Sequence, residues 1–392
     1  MIKDKFVHIL AISDIHFGEH KNSELLYYEL KEIFIKKLLD KTKTLDMIVI
    51  AGDFWGTKLS LNSIDAKYGI QFINEIFNIC KENEIQIRMI RGTISHDYNQ
   101  LDNFKYLEED ESGIFKIINK VETEKFEINN KTIRILYIPE EYLPKQEVFY
   151  EKYLNYKNKW DFVFGHGTFD FAAFSSQKIE SEKIIKTAPI LDSVKFSERI
   201  KGIGIFGHIH IKTNKDKIFY LGSFSRLNFG EEEPKGFYEI KYNIKTKEVK
   251  LNFIENILAP LYITIKLSNY FDKGLKFTED NIELKINLIE KLKTKYKNSN
   301  LRIIDDTDSV TDLSTKILKE KYNYDEDIKL RIQKEKDKTE DRDDTYDFIL
   351  ERSLPINKCI RKFIKLKYNR KIPLEFIDKA IKEDTKEVNN EE

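Results

Sequence analysis

Residues 6–12 (FVHILAI) carry one polar side chain, His8, in an otherwise apolar run, which predicts a strand buried on both faces. Residues 23–40 then return apolar groups at helical spacing (Leu26, Leu30, Ile33, Phe34, Leu38), with Ser23 placed as the N-cap. A second buried strand follows at 47–51 and a second helix at 62–81, through Phe72, Ile73, Ile76, Phe77 and Cys80. Strands are expected at 85–90, 132–138, 162–164 and 204–206, then at 218–221, 236–242 and 248–254 across short turns. Strand–helix alternation that passes into a meander predicts a layered α/β domain with mixed sheets rather than a plain doubly wound one.

Around residues 258–260 the pattern changes. Residues 261–267 alternate like a strand, 280–296 are helical and 301–304 strand-like again, a βαβ unit that makes a small second domain. Residues 331–344 hold a single apolar side chain, Ile332, and read as an ion-paired exposed helix or a linker. Residues 345–382 resume helical periodicity in short amphipathic stretches that need a partner surface. The expected division is 1–257, 258–330 and 331–392.

Composition narrows this picture. An apolar content of 41% over 392 residues is enough for a sizeable core. Lys+Arg and Asp+Glu are both 67, so no global basic excess announces a nucleic-acid partner, and any such surface must be a local patch. Cys80 and Cys359 stand far apart, which excludes a disulfide framework and fits a reducing compartment. The polar first residues lead straight into a strand, and no apolar run approaches membrane-spanning length. A cytoplasmic protein that makes no membrane contact is the expectation.

The chemistry gathers in five short blocks: Asp14-Ile15-His16, Gly52-Asp53, Ser95-His96-Asp97, Gly165-His166-Gly167 and Gly207-His208-Ile209-His210. They contain five of the seven histidines, and each ends a strand or opens the loop after it. Carboxylates and imidazoles delivered from several strand ends suit hard divalent metals, and two such metals side by side make a phosphoester-cleaving site. Asp14 with His16, and His208 with His210, have the i, i+2 spacing that points both side chains one way in extended chain. Asp53 can bridge two cations with its two oxygens, or simply cap a helix. Asp97 beside His96 can fix its tautomer near a phosphate, or cap a polar loop. His8 reads as structural, and His20 as a residue close enough to the first block to touch substrate. The GxGxxG spacing at 202–207 lies within a strand that leads to His208, so it is no dinucleotide fingerprint, and no GxxxxGK[ST] loop exists.

In order, DIH, GDF, GTISHD, GHG and GHIH resemble the five motifs of the calcineurin-like metallophosphoesterases, whose third motif is usually GNHD. Within that superfamily, Tyr220-Leu221-Gly222-Ser223-Phe224, Asn228-Phe229-Gly230-Glu231-Glu232 and Lys235-Gly236-Phe237 resemble a segment of the SbcD-type DNA repair nucleases and their phage counterparts. The resemblance implies a four-layer α/β/β/α sandwich, a small α+β capping domain, and a helical tail that binds an SbcC-type coiled-coil ATPase. It implies one metal held by Asp14, His16, Asp53 and His210, and another by Asp53, His166, His208 and Ser95, the last in the asparagine's place. His96, oriented by Asp97, would face the scissile phosphate. Manganese is the implied metal, with magnesium as the alternative, and DNA is the implied substrate; whether a second copy of the chain is a further partner, as a homodimer, is left open by the sequence. The family's usual histidine after the second motif is absent from Asp53-Phe54-Trp55-Gly56, which weakens an exonuclease reading. Competing readings are a phosphomonoesterase or cyclic-nucleotide phosphodiesterase on the same centre, and a DNA-tethering subunit with a weakened site.

Overall fold

The computed structural model describes residues 6–19, 23–128, 131–142, 146–155, 157–173, 190–272, 275, 277, 281–297, 299–307, 312–322 and 328–332. Strands β1 (Phe6–Ile12), β2 (Met47–Ala51), β3 (Gln86–Ile90) and β4 (Phe115–Ile118) run parallel, side by side. Next along the chain come β5 (Glu122–Ile128), β6 (Lys131–Ile138), β7 (Trp160–His166), β8 (Thr168–Phe169), β9 (Ile190–Leu191), β10 (Ile200–Gly207), β11 (Thr213–Lys215) and β12 (Ile218–Tyr220). Then β13 (Gly236–Asn243) and β14 (Val249–Glu255) form a hairpin that joins the free edge of β1 antiparallel.

Two six-stranded sheets result, β14-β13-β1-β2-β3-β4 and β11-β12-β10-β7-β6-β5. In the second, β6, β7, β10 and β12 are parallel, with β5 and β11 antiparallel at the edges. Both sheets are mixed, as the change from alternation to meander predicts.

Alternation along β1 explains its continuous apolar run. Val7, Ile9 and Ala11 join a core that also contains Ile133, Ile135, Phe162, Phe164 and Ile205 of the second sheet. Leu10 and Ile12 face the opposite way, into a core shared with Phe34, Phe72, Ile76 and Cys80 of the helices. A third core sets Phe196 and Tyr150 against Val163 and Phe206. His8 is buried with Nε2 2.8 Å from Glu239, the structural role its position suggests.

The first helical region covers Ser23–Glu29, a π-helical turn at Leu30–Ile35, and Lys36–Lys41. Ser23 is already helical, and its hydroxyl accepts from the Gly18 N–H upstream rather than capping the helix. The helix Ile64–Glu82 starts two residues later than its periodicity suggests, because Ser63 is its N-cap and accepts from Ala66 N–H at 3.2 Å.

The chain divides into two compact units, one of Met1–Ile265, Asn287–Ile303 and Tyr324–Lys329, the other of Lys266–Ile286, Ile304–Asn323 and Leu330–Glu392. Every residue of the five blocks belongs to the first. Later elements are β15 (Leu261–Lys266), β16 (Ser299–Asp305), β17 (Ile328–Ile332) and the helices Ile282–Lys295 and Asp312–Tyr322. In the second unit Lys285 is buried against Asp305 at 2.7 Å. His20 and the helical pattern at 345–382 lie outside the described residues. No helix among the described residues is long and apolar enough to cross a membrane.

Candidate metal centre

Six parallel strands end at one place. Asp14 and His16 follow β1, Asp53 follows β2, the Thr93–Asp97 turn follows β3, Glu140 follows β6, His166 ends β7, and His208 and His210 follow β10. The crevice beyond the carboxyl ends of parallel strands is where α/β sheets offer side chains to ligands.

The loops after β1 and β2 are zipped together: Asp14 N–H donates to Gly52 O, Ile15 and His16 N–H to Asp53 O, and Phe17 N–H to Phe54 O. Asp14 and His16 do not converge as extended i, i+2 neighbours. Both adopt left-handed backbone, at φ 51° and 59°, as do Asp53 at 49° and His208 at 92°. Four of the eight positive-φ non-glycine residues among those described are thus site residues. Such backbone costs about 1–3 kcal/mol per residue and collects where function over-determines it.

Three clusters of donors result, Asp14/His16/His210, Asp53/His166/His208 and, at the rim, His16/Glu19/His96, each with its atoms within 4.8 Å of one another. In the first, His16 Nε2 lies 3.2 Å from His210 Nε2, and these nitrogens are 4.0 and 3.8 Å from Asp14 Oδ1. In the second, His166 Nε2 is 3.2 Å from Asp53 Oδ2. Asp53 Oδ2 is also 3.9 Å from His16 Nε2, so its carboxylate stands between the clusters.

The outer ring nitrogens are anchored. His166 Nδ1 is 2.9 Å from the Ala51 carbonyl, His16 Nδ1 is 2.6 Å from Glu19 Oε2, and His210 Nδ1 is 3.5 Å from buried Glu231. Carboxylate and carbonyl partners of this kind fix the tautomer of metal-ligating histidines. Glu231 is itself held by Lys235 Nζ at 3.0 Å, and Lys235 also donates to the His210 carbonyl at 2.8 Å. Burial would raise the Glu231 pKa, but His210 and Lys235 together hold it at about 2.

The donor set fits divalent ions. Dications with bonds of about 2.1 Å set adjacent donors about 3 Å and opposite donors about 4 Å apart, and the separations found run from 3.2 to 4.0 Å. With protons on the anchored Nδ1 atoms, the Nε2 lone pairs of His16 and His210 face each other, an arrangement that a cation between them makes favourable. Burial pulls His166 down, yet Asp53, Asp14 and Glu140 push it up to about 10, the pull of a pocket built for positive charge.

His96 sits at the rim, with 31% of its side chain exposed against 2% for Asp53, and its Nδ1 is 2.8 Å from Asp53 Oδ2. Burial lowers its pKa, but the hydrogen bond and charge of Asp53 outweigh that and raise it.

Two expectations need correction. Asp97 does not orient His96. It is buried and accepts from Trp55 N–H at 2.9 Å and Gly92 N–H at 2.7 Å, clamping the loops after β2 and β3. Ser95 is exposed, and the structure sets Thr93 where the motif reading set Ser95. Thr93 N–H donates to Asp53 Oδ1 at 2.5 Å, and its hydroxyl is 3.2 Å from Asp53 Oδ2 and 3.4 Å from both His166 Nε2 and His208 Nδ1. Thr93, directly after Gly92, is the residue beside Asp53, and Ile94 and Ser95 stand exposed between it and His96. Gly92 packs its bare Cα on Asp53, where a Cβ would overlap the carboxylate.

Sequence reasoning passed over Glu19, Thr93 and Glu140, and gave no role to Glu231 or Lys235 beyond the segment they belong to. Only Glu140 left a signal, as an acid two residues past a strand end. Gly56, where the family histidine is missing, packs on Glu19, and any side chain there would meet the Glu19 Cβ.

A family model described as calcineurin-like phosphoesterase matches residues 7–212. No curated protein matches the chain. A solved structure described only as a crystal structure has 13% identity and a TM-score of 0.36, covering 64% of this chain and 100% of that one. The glutamine-dependent NAD+ synthetase from Acinetobacter baumannii in complex with adenosine diphosphate has 10% identity and a TM-score of 0.28, covering 91% of this chain and 70% of that one. Likeness at this level carries no argument.

Proposed function

The chain belongs to the calcineurin-like phosphoesterase family, metal-dependent phosphoester hydrolases, and on that premise we propose that it is a two-metal phosphodiesterase acting on DNA, of the SbcD type. The observation that carries the two-metal reading is the Asp53 carboxylate, buried between two carboxylate–imidazole clusters and touching a rim histidine. Asp14, His16, Asp53 and His210 would hold one ion, and Asp53, His166 and His208 belong to the other. Two divalent ions bound there would supply Lewis-acid polarisation of a phosphoryl oxygen and an activated water. Nitrogen and carboxylate donors favour manganese over magnesium.

The protein's own residues do the rest. Anchored outer nitrogens would keep the inner nitrogens of His166 and His210 aimed at the ions. Asp53 fixes His96 through Nδ1 and favours its protonated form, leaving Nε2 to donate to a phosphoryl oxygen or to the leaving oxygen.

The DNA reading draws support from the segment 220–237, whose Glu231 and Lys235 buttress His210 from behind. On this reading the two sheets with their flanking helices form the α/β/β/α sandwich, the later elements act as the cap, and residues 345–392 dock an SbcC-type ATPase. The test is one assay of labelled duplex and single-stranded DNA beside a nitrophenyl phosphomonoester and its diester, with manganese and with chelator. DNA and diester cleavage with manganese is the expected result. Turnover of the monoester alone would move the protein to the phosphomonoesterases, and a purified protein that binds no metal would leave only a tethering role. A chain lacking 345–392 that still bound the ATPase would remove the tail assignment.

A further inference from the structure

We propose that Glu140 is a ligand of the second ion, supplying with a carboxylate the oxygen that the family motif takes from a neutral amide. The inference rests on the two-metal reading above. Glu140 lies just beyond β6, the parallel neighbour of β7, and is buried. Its Oε2 is 3.5 Å from His208 Nδ1, 3.9 Å from His166 Nε2 and 3.4 Å from the Thr93 hydroxyl. Its other oxygen accepts from the Tyr142 hydroxyl at 2.7 Å, which fixes the carboxylate and leaves Oε2 for the cluster.

Those distances and the burial carry the assignment, and charge agrees with it. A buried carboxylate needs a compensating cation. The ion-pair partners of Glu140 among the described residues are His166 and His208. Both are candidate ligands, and an imidazole that binds a metal does so as the neutral ring. With the ion in place those imidazoles would not offset a charge on Glu140, which leaves the ion and the Arg91 guanidinium, whose Nη2 donates to the Glu140 carbonyl rather than to its carboxylate, at 3.3 Å.

Thr93 explains why the extra carboxylate is needed. It holds the amide's place in the backbone, one residue after Gly92, but its hydroxyl is short and has one proton to share among Asp53, Glu140 and two ring nitrogens. Thr93 therefore lines the position, and Glu140 provides the anionic oxygen. Asp53, Glu140, His166 and His208 would then hold the second ion, with two carboxylates among its donors where the family pattern has one.

The experiment is Mn2+ titration calorimetry on the full-length protein, with metal content after desalting and low-temperature electron paramagnetic resonance for a spin-coupled manganese pair. Wild type is expected to bind two ions and show the coupled signal. Glu140→Gln, similar in shape but uncharged, should keep one tight ion and weaken the second. Outer contacts to a ligand are worth roughly 10–100-fold in affinity, so loss of a direct one should exceed about 100-fold. Glu140→Asp should recover part of that loss. An unchanged melting temperature of the metal-free variants shows that the loss is local. Two ions of unchanged affinity and an intact coupled signal in Glu140→Gln would overturn the assignment while sparing the two-metal reading. A wild type that binds no ion would overturn both.

Discussion

The backbone N–H of His208 donates to both oxygens of the Asp14 carboxylate, at 3.0 and 3.2 Å, across 194 residues of sequence. One bond thus ties the loop after β1 in the first sheet to the loop after β10 in the second. Asp14 therefore has two separable roles, as acceptor and as charge. Asp14→Asn keeps an acceptor and removes the charge. The metal-free variant should stay within about 1 kcal/mol of wild type in a denaturant melt, about the worth of one hydrogen bond, while manganese content falls. A variant that keeps full manganese content would remove Asp14 from the ligand set.

His96 hydrogen-bonds Asp53 and packs edge-on against His16, with ring centroids 4.9 Å apart, and is the most exposed of the cluster's imidazoles. His96→Ala is expected to retain its ions and lose roughly 10²–10⁴ in kcat on a nitrophenyl diester, the range for a positioned acid. Metal analysis alongside the kinetics separates the roles, since loss of ions would make His96 a ligand instead.

Gly52 has φ +88°, and a Cβ there would fall on the ring of His166. That ring has no room to retreat, because its Nδ1 is held by the Ala51 carbonyl. Gly52→Ala adds overpacking of about 1–3 kcal/mol to a strained backbone, so a lower melting temperature and weaker manganese binding should appear together. Weakening of neither would show that the loop after β2 yields freely.

What could be read in advance follows from where each residue type is scarce. Central parallel strands such as β1 and β2 are apolar on both faces and stand out in a chain that is 34% charged. The edge strand β5 (ETEKFEI) and the four-residue β4 (FKII) carry too few apolar positions to separate from loop. Histidines are rare here, so their grouping marked the site. Glutamates are abundant, so Glu19 looked like any solvated face, and Glu140 and Glu231 offered only a place past a strand end and a place in the 220–237 segment, until the sheets brought them to the imidazoles. Asp97 misled through adjacency, because successive residues in the turn Ile94–Asp97 point in different directions.

Glu29 supplies a test of the fold away from the metals. It ends the helix Ser23–Glu29, is 1% exposed, and accepts from Asn256 Nδ2 at 2.7 Å. Burial raises its pKa to about 7, although Asn256, Ser225 and Arg226 all pull the other way. The folded chain therefore keeps a proton that the unfolded chain, near 4.5, has lost. Its contribution to stability is fullest below about pH 4.5, falls as pH rises toward 7, and is gone above that. The whole rise corresponds to about 3 kcal/mol. Glu29→Gln keeps a neutral acceptor and removes the dependence. In chelator, the variant should be more stable than wild type by up to about 3 kcal/mol at pH 8.5, with the gap closing to about 1 kcal/mol at pH 5. Denaturant melts at the two pH values decide it. A gap of equal size at both would mean that Glu29 is ionised throughout in the folded protein, and that its neighbours rather than burial set its charge.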